Sequence, residues 1–175
     1  MFNTDCIDDS EAEIKIADLV EEATEPSNPD TPDISLEQFC QSHQVPIQHG
    51  GDRACYIPSL DKIAMPHFEN FSSANGYYST LLHELAHSTG NAKRLNRDMS
   101  GSFGTTKYAR EELIAELTSV FVASELGIKE ELELENHASY LASWIKVLKE
   151  DNKALFQALS HARAASNYLL EKQSK

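Results

Sequence analysis

STLLHELAHSTG, residues 79–90, decides how this chain is read. Two histidines stand four apart, with Glu84 directly after the first. Residues four apart on a helix share a face, so His83 and His87 can present both imidazoles to one metal ion. Glu84 emerges about 100° further round the helix, beside the ion rather than on it. There its carboxylate can take a proton from a metal-bound water. The pattern therefore encodes two ligands and one general base. With seven histidines in 175 residues, chance supplies about 0.03 occurrences of it. The neighbours Leu81, Leu82, Leu85 and Ala86 put both rings on an otherwise apolar helix, where imidazoles need partners. The bland alternative is a pair of core histidines satisfied by carboxylates.

A catalytic zinc site keeps three protein ligands and one open position. TKYAREELIAEL, residues 106–117, offers the third. Glu112 and Glu116 share a helix face, and that face continues with the small Ser119 and Ala123, a sign of close packing. Glu112 is read as the third ligand. Glu116, one turn on, would orient a ligating histidine. Glu116 or Glu111 in the ligand position remains an alternative, as does a plain surface role for the pair.

The charge of −13 is unevenly spread. Residues 1–33 carry eleven acids and one base, and the remaining 142 residues account for only −3. The globular part has no basic field for nucleic acid. Segment 1–33 ends in EPSNPDTPD and reads as a flexible, solvated acidic tail, with a short partner-docking or self-capping helix at 10–23 as the alternative. The folded domain is placed at 34–173. Three cysteines, Cys6, Cys40 and Cys55, with no CxxC spacing argue against a disulfide framework. No signal-peptide pattern opens the sequence, and no apolar run reaches the ~20 residues that span a bilayer. A cytoplasmic protein with no membrane partner is expected.

Ser35 and Gln38 have capping-box spacing and predict a short helix. Residues 53–57 and 62–65 predict an antiparallel hairpin about a Pro-Ser-Leu-Asp turn. The motif helix is expected from Ser72 or Ser73 to His87, with Gly90 as its stop. Another runs from Thr106 to Leu126, stopped by Gly127. Asn136 would cap a helix bearing Tyr140, Leu141, Trp144, Ile145 and Leu148. Asp151 or Asn152 would cap the last, with Leu155, Leu159, Ala162 and Leu169 facing the core.

Arg53, Tyr56 and Tyr108 are candidate substrate or oxyanion contacts. The hairpin precedes the motif helix directly, so an exposed strand edge there could hold an extended peptide. Lys93, Arg94, Arg97, Lys107 and Arg110 form a local basic cluster, read as salt-bridged packing ahead of a phosphate or acidic-substrate contact. His43, His49, His137 and His161 lack ligand spacing and read as structural or surface residues. His67 follows Met65-Pro66 and is at most a substrate contact.

GGDRACYIPSLDKIAMP, YYSTLLHELAHSTG, RLNRD, SFGTTKYAREELIAEL and HASYLASWIKVLKEDNKALFQALSHARAASNYLL together resemble the zincin-like metallopeptidase domain of ArdC-type antirestriction proteins. Related domains occur in plasmid primases and phage polyvalent proteins. The resemblance covers about residues 36–172. It implies an α+β zincin-like fold, with a small antiparallel sheet and four to five helices, and an origin on a mobile genetic element in a bacterial host. It also implies one zinc per chain on His83, His87 and Glu112, Glu84 as base, and a protein or peptide substrate. ArdC proteins carry a single-stranded-DNA-binding domain ahead of the peptidase. Here the acidic segment stands in that place, so DNA binding is not expected. The competing reading is a metal-stabilised, non-catalytic protein that binds and inhibits a host defence factor, its acidic segment mimicking DNA.

Overall fold

A computed structural model describes residues 32–128, 144–145, 149, 151 and 153–171. The acidic segment up to residue 31 and its candidate helix lie outside the described residues. So does most of the helix anticipated from Asn136, of which Trp144, Ile145 and Lys149 are helical.

Helix α1 (Ile34–Ser42) leads into strands β1 (Ile47–His49), β2 (Cys55–Ile57) and β3 (Lys62–Met65). A 3-10 turn at Phe68–Asn70 precedes α2 (Ala74–Ser88), α3 (Thr106–Leu126) and α4 (Ala154–Glu171). The fold is α+β, as expected. The expected hairpin is present: β2 and β3 are antiparallel, with Tyr56 opposite Ile63. The sheet is nevertheless mixed rather than antiparallel. Its order is β1-β3-β2, and β1 runs parallel to β3. Three residues between Pro46 and Gly50-Gly51 are too few to show an alternation, and a parallel partner cannot be joined by a tight turn.

Burial along β3 alternates, with Ile63 and Met65 fully buried. In register, Ile47 and Tyr56 flank Ile63. Tyr77, Tyr78, Leu81, Leu82 and Leu85 of α2 join them in one core, which Val122 and Ala123 of α3 and Leu169 of α4 complete. The motif helix is thus gripped through its leucines. A second cluster holds α3 to α4 through Leu113, Ile114, Ala158 and Ala162, with Trp144 packed against it.

The helix ends follow local chemistry, with three departures from expectation. The cap of α1 is Asp33, whose carboxylate accepts from Ser35 and Leu36 N–H, rather than Ser35. Thr105 caps α3, and Gly127 ends it in the left-handed region at φ 71°, as anticipated. Gly90, however, is not a left-handed stop for α2. Thr89 closes that helix, its hydroxyl donating to Ala86 O at 2.6 Å. Gly90 instead provides room: a Cβ there would lie 2.6 Å from Met99 Sδ. In α4 the buried stripe is Ala154, Ala158, Ala162, Ala165 and Leu169, while Leu155 is exposed and Leu159 half-buried. Alanines win the inward positions because they let the α3 and α4 backbones approach closely. Asp151 caps this end, accepting from Lys153 N–H at 2.9 Å.

Candidate metal centre

Helices α2 and α3 pack side by side and bring a compact cluster together. His83 Nε2 and His87 Nε2 are 3.1 Å apart. Glu112 reaches both, with Oε2 at 3.5 Å from His83 Nε2 and Oε1 at 3.5 Å from His87 Nε2. Ligand atoms about 2.0–2.1 Å from a tetrahedral ion lie about 3.4 Å from one another. The two imidazole nitrogens, and the Glu112 oxygen that each of them meets, are spaced on this scale, and one ligand atom from each of the three residues lies within 4.8 Å of the others; two imidazoles and a carboxylate suit a first-row divalent ion. Among the described residues, His83, His87 and Glu112 are the group of this kind that could hold a metal.

The far nitrogen of each histidine also meets a carboxylate. Glu116 Oε2 lies 3.1 Å from His83 Nδ1, and Glu111 Oε1 lies 3.2 Å from His87 Nδ1. Such partners fix the ring and leave Nε2 as the acceptor. The sequence pointed to Glu116 for this position; Glu111 entered it only as an alternative ligand, and its pairing with His87 was missed. Three acids at 111, 112 and 116 cover two faces of α3, and the adjacent Glu111–Glu112 pair was the available signal.

Electrostatics follow from this crowding. Burial alone would lower the His83 pKa, but hydrogen bonds to Glu112 and Glu116, and the nearby Glu84, outweigh it and push it up to about 10. His87 is raised by Glu111 and Glu112 against the same opposing burial. Burial would raise Glu112, yet its bonds to His83 and His87 hold it below the usual carboxylate range. Glu111 is held low by His87 and Arg97 in the same way. The surrounding carboxylates thus draw both imidazoles toward the protonated form, and a divalent cation would compete with that proton.

Glu84 is buried beside the triangle, and its Oε2 accepts from the Tyr56 backbone N–H at 2.5 Å. This hydrogen bond crosses from α2 to β2, so the Tyr56 N–H points away from β3 along the outer edge of the sheet. The Tyr56 side chain is occupied elsewhere. Its hydroxyl donates to Asp61 Oδ1 at 2.8 Å and accepts from Asn91 Nδ2 at 2.8 Å and Arg94 Nη2 at 3.2 Å. The Tyr56 hydroxyl is thus engaged in this cluster, and it is the Tyr56 backbone N–H that meets Glu84. Arg94 also pairs with Asp61, holding that carboxyl down to about 2, and donates to Ser88 O at 2.6 Å. The cluster ties the β2–β3 turn to the end of α2. Arg53 is exposed just ahead of β2, and Tyr108 is half-buried in the first turn of α3 against Phe103.

All five residues of the basic cluster have carboxylate partners, in accord with the packing reading: Lys93 and Arg94 on Asp61, Arg97 on Glu111, Lys107 on Asp98, Arg110 on Asp151. His43 is buried against Phe39, His49 bonds Tyr77 Oη at 2.8 Å, and His161 is exposed. His67 is exposed with its ring 6.1 Å from that of His49, and His137 is outside the described residues.

A family model described as zincin-like metallopeptidase matches residues 34–161. The chain belongs to the zincin-like metallopeptidase family. It is 42% identical over 138 residues to the y4eC protein of Sinorhizobium fredii, covering 79% of this chain and 45% of that one. It is 45% identical over 140 residues to a DNA primase TraC of Escherichia coli, covering 79% of this chain and 13% of the primase. The antirestriction protein ArdC of plasmid R388 superposes with a TM-score of 0.76 at 35% identity in its metal-free form, over 85% of this chain and 54% of that one. Its Mn(II)-bound form gives 0.77 at 34% identity, over 89% and 58%. This zincin-like chain thus spans less than two thirds of each of these relatives. Among the described residues, no helix is long and apolar enough to cross a membrane.

Proposed function

We propose that the chain is a zinc-dependent metallopeptidase domain of a mobile genetic element, acting in the cytoplasm of a bacterial host against a protein linked to restriction or another defence. The observation that carries the reading is the His83–His87–Glu112 triangle with the buried Glu84 carboxylate beside it. His83, His87 and Glu112 would hold one ion per chain, with Glu116 and Glu111 orienting the two histidines. Bound there, the ion supplies Lewis acidity, lowering the pKa of water and polarising a carbonyl.

The protein's own part is positioning and proton transfer. Glu84 takes a proton from the attacking water as it adds to the scissile carbonyl carbon, then returns that proton to the leaving amine nitrogen. The Tyr56 N–H holds Glu84 Oε2 and leaves its other oxygen for the water. The outer edge of β2 offers backbone groups along which an extended peptide can lie, and Arg53, just ahead of that strand, and Tyr108, in the first turn of α3, are candidate substrate contacts. Manganese in the R388 relative supports a divalent ion, and the Irving–Williams order favours zinc over manganese at such a donor set.

The test is metal content of the dialysed chain beside a His83→Ala/His87→Ala control, followed by peptide-library cleavage with Glu84→Gln. About one zinc per chain, absent from the control, with turnover lost about 10²–10⁴-fold in Glu84→Gln, is expected. Metal bound without cleavage, and host protection retained by Glu84→Gln, would favour a metal-stabilised binding protein instead.

A further inference from the structure

We infer that Arg97 is a positioning residue of the metal centre, acting on His87 through Glu111. The inference rests on the ligand triangle proposed above. Arg97 comes from the loop between α2 and α3, and its side chain is 4% exposed. Its Nη2 and Nε donate to the two oxygens of Glu111 at 2.7 and 3.0 Å. A two-pronged contact of this kind fixes both the position and the plane of a carboxylate. The same guanidinium donates from Nη1 to Thr89 Oγ1 at 2.6 Å and from Nη2 to Ala86 O at 2.9 Å. Ala86 directly precedes His87. One side chain therefore holds the last turn of α2 and also the α3 carboxylate that meets His87 Nδ1 at 3.2 Å.

The consequence is selective. Glu111 and Glu112 are neighbours on α3 and equally buried at 7% exposure, so the sequence alone leaves either free to ligate. With both its oxygens taken by Arg97, Glu111 is kept from turning inward to the ion. It can still accept from His87 Nδ1–H, which directs the Nε2 lone pair to the metal position. Arg97 also offsets one of four acidic side chains gathered here, Glu84, Glu111, Glu112 and Glu116. The protein makes room for it: a Cβ on Gly90 would lie 3.1 Å from Arg97 Nη2.

A double-mutant cycle on metal affinity tests this, using the full chain and zinc competition against a chromophoric chelator. Arg97→Gln and Glu111→Gln are each expected to weaken zinc binding about 10–100-fold. The double variant should be no weaker than the poorer single, because the pair acts as one unit. Arg97→Lys, which keeps the charge without the fork, should recover affinity in part. If Arg97→Gln does not fold by circular dichroism, Arg97→Lys takes its place in the cycle. Unchanged zinc affinity with only a lower melting temperature, or additive losses in the double variant, would overturn the inference while leaving the ligand triangle intact. No zinc binding by the wild-type chain would overturn the triangle itself and this inference with it.

Discussion

The Tyr56 backbone N–H donates to Glu84 Oε2 across 2.5 Å, joining the edge strand to the motif helix in a buried setting. A glutamine at 84 can still accept that bond through its amide oxygen; an alanine cannot. Glu84→Gln and Glu84→Ala should therefore lose turnover alike but differ in stability. Glu84→Ala is expected to be less stable than Glu84→Gln by about 1–3 kcal/mol, the cost of a buried donor left without an acceptor. Urea unfolding of the two variants measures it. Equal midpoints and slopes would mean that water replaces the carboxylate at this N–H.

Metal and protons compete for the same imidazoles. In chelator-stripped protein the His83 pKa lies above its ordinary 6.5, at about 10. A raised pKa contributes stability that is complete below 6.5 and is lost as pH climbs through 10. Glu112 and Glu111, held low, contribute stability present above 4.5 and lost on acidification. Stripped protein should thus be most stable between these limits and weaken toward alkaline pH. Zinc, displacing the proton, should raise the melting temperature more at about pH 8.5 than at about pH 6. Thermal scans with and without zinc at both pH values check this. An equal gain at the two would mean that His83 carries no extra proton in the stripped chain.

Much of the centre was legible because its spacing is local. His83, Glu84 and His87 fall within one helical turn, and the Glu112–Glu116 face is a second i,i+4 pattern, so each half announces itself. What could not be read was any relation that depends on how two elements meet. The Arg97–Glu111 pair spans 14 residues of loop and helix, and the Tyr56 N–H carries no side-chain signature. The fold divides the same way. Caps at Ser73 and Thr105 and the left-handed Gly127 are written in single residues. Strand β1 is visible only through its pairing with β3.

Gly101 shows how tightly the loop after α2 is drawn against α3. A Cβ there would sit 2.4 Å from Tyr108 N and 2.9 Å from Lys107 C, both backbone atoms that cannot swing aside. Gly101→Ala should therefore force the loop off the first turn of α3. At Gly90 the nearest atoms are side-chain ends, Met99 Sδ and Arg97 Nη2. Gly101→Ala is accordingly expected to cost more stability, about 1–3 kcal/mol in the manner of an overpacked site. Gly90→Ala should act mainly on zinc affinity by disturbing Arg97. Parallel urea and zinc titrations distinguish them, and an affinity loss confined to Gly101→Ala would reverse the assignment.

The alanine stripe of α4 makes a final prediction, in which the larger residue is the less important one. Ala162 is fully buried, and its carbonyl lies 3.5 Å from Thr118 Oγ1 on α3, so the two helix backbones nearly touch. Leu159, one position beyond the stripe residue Ala158, is only half-buried. Ala162→Leu has no space to enter and should destabilise by about 1–3 kcal/mol as the helices are pushed apart. Leu159→Ala removes partly solvated methyl groups and should cost less than the 2–5 kcal/mol, roughly, of a core leucine truncation. Because α3 carries Glu111, Glu112 and Glu116, separating it from α4 should also weaken zinc binding, whereas Leu159→Ala should leave zinc affinity alone. Urea unfolding paired with chelator competition reads both effects. Tolerance of leucine at 162, with affinity unchanged, would mean that α4 does not set the position of α3.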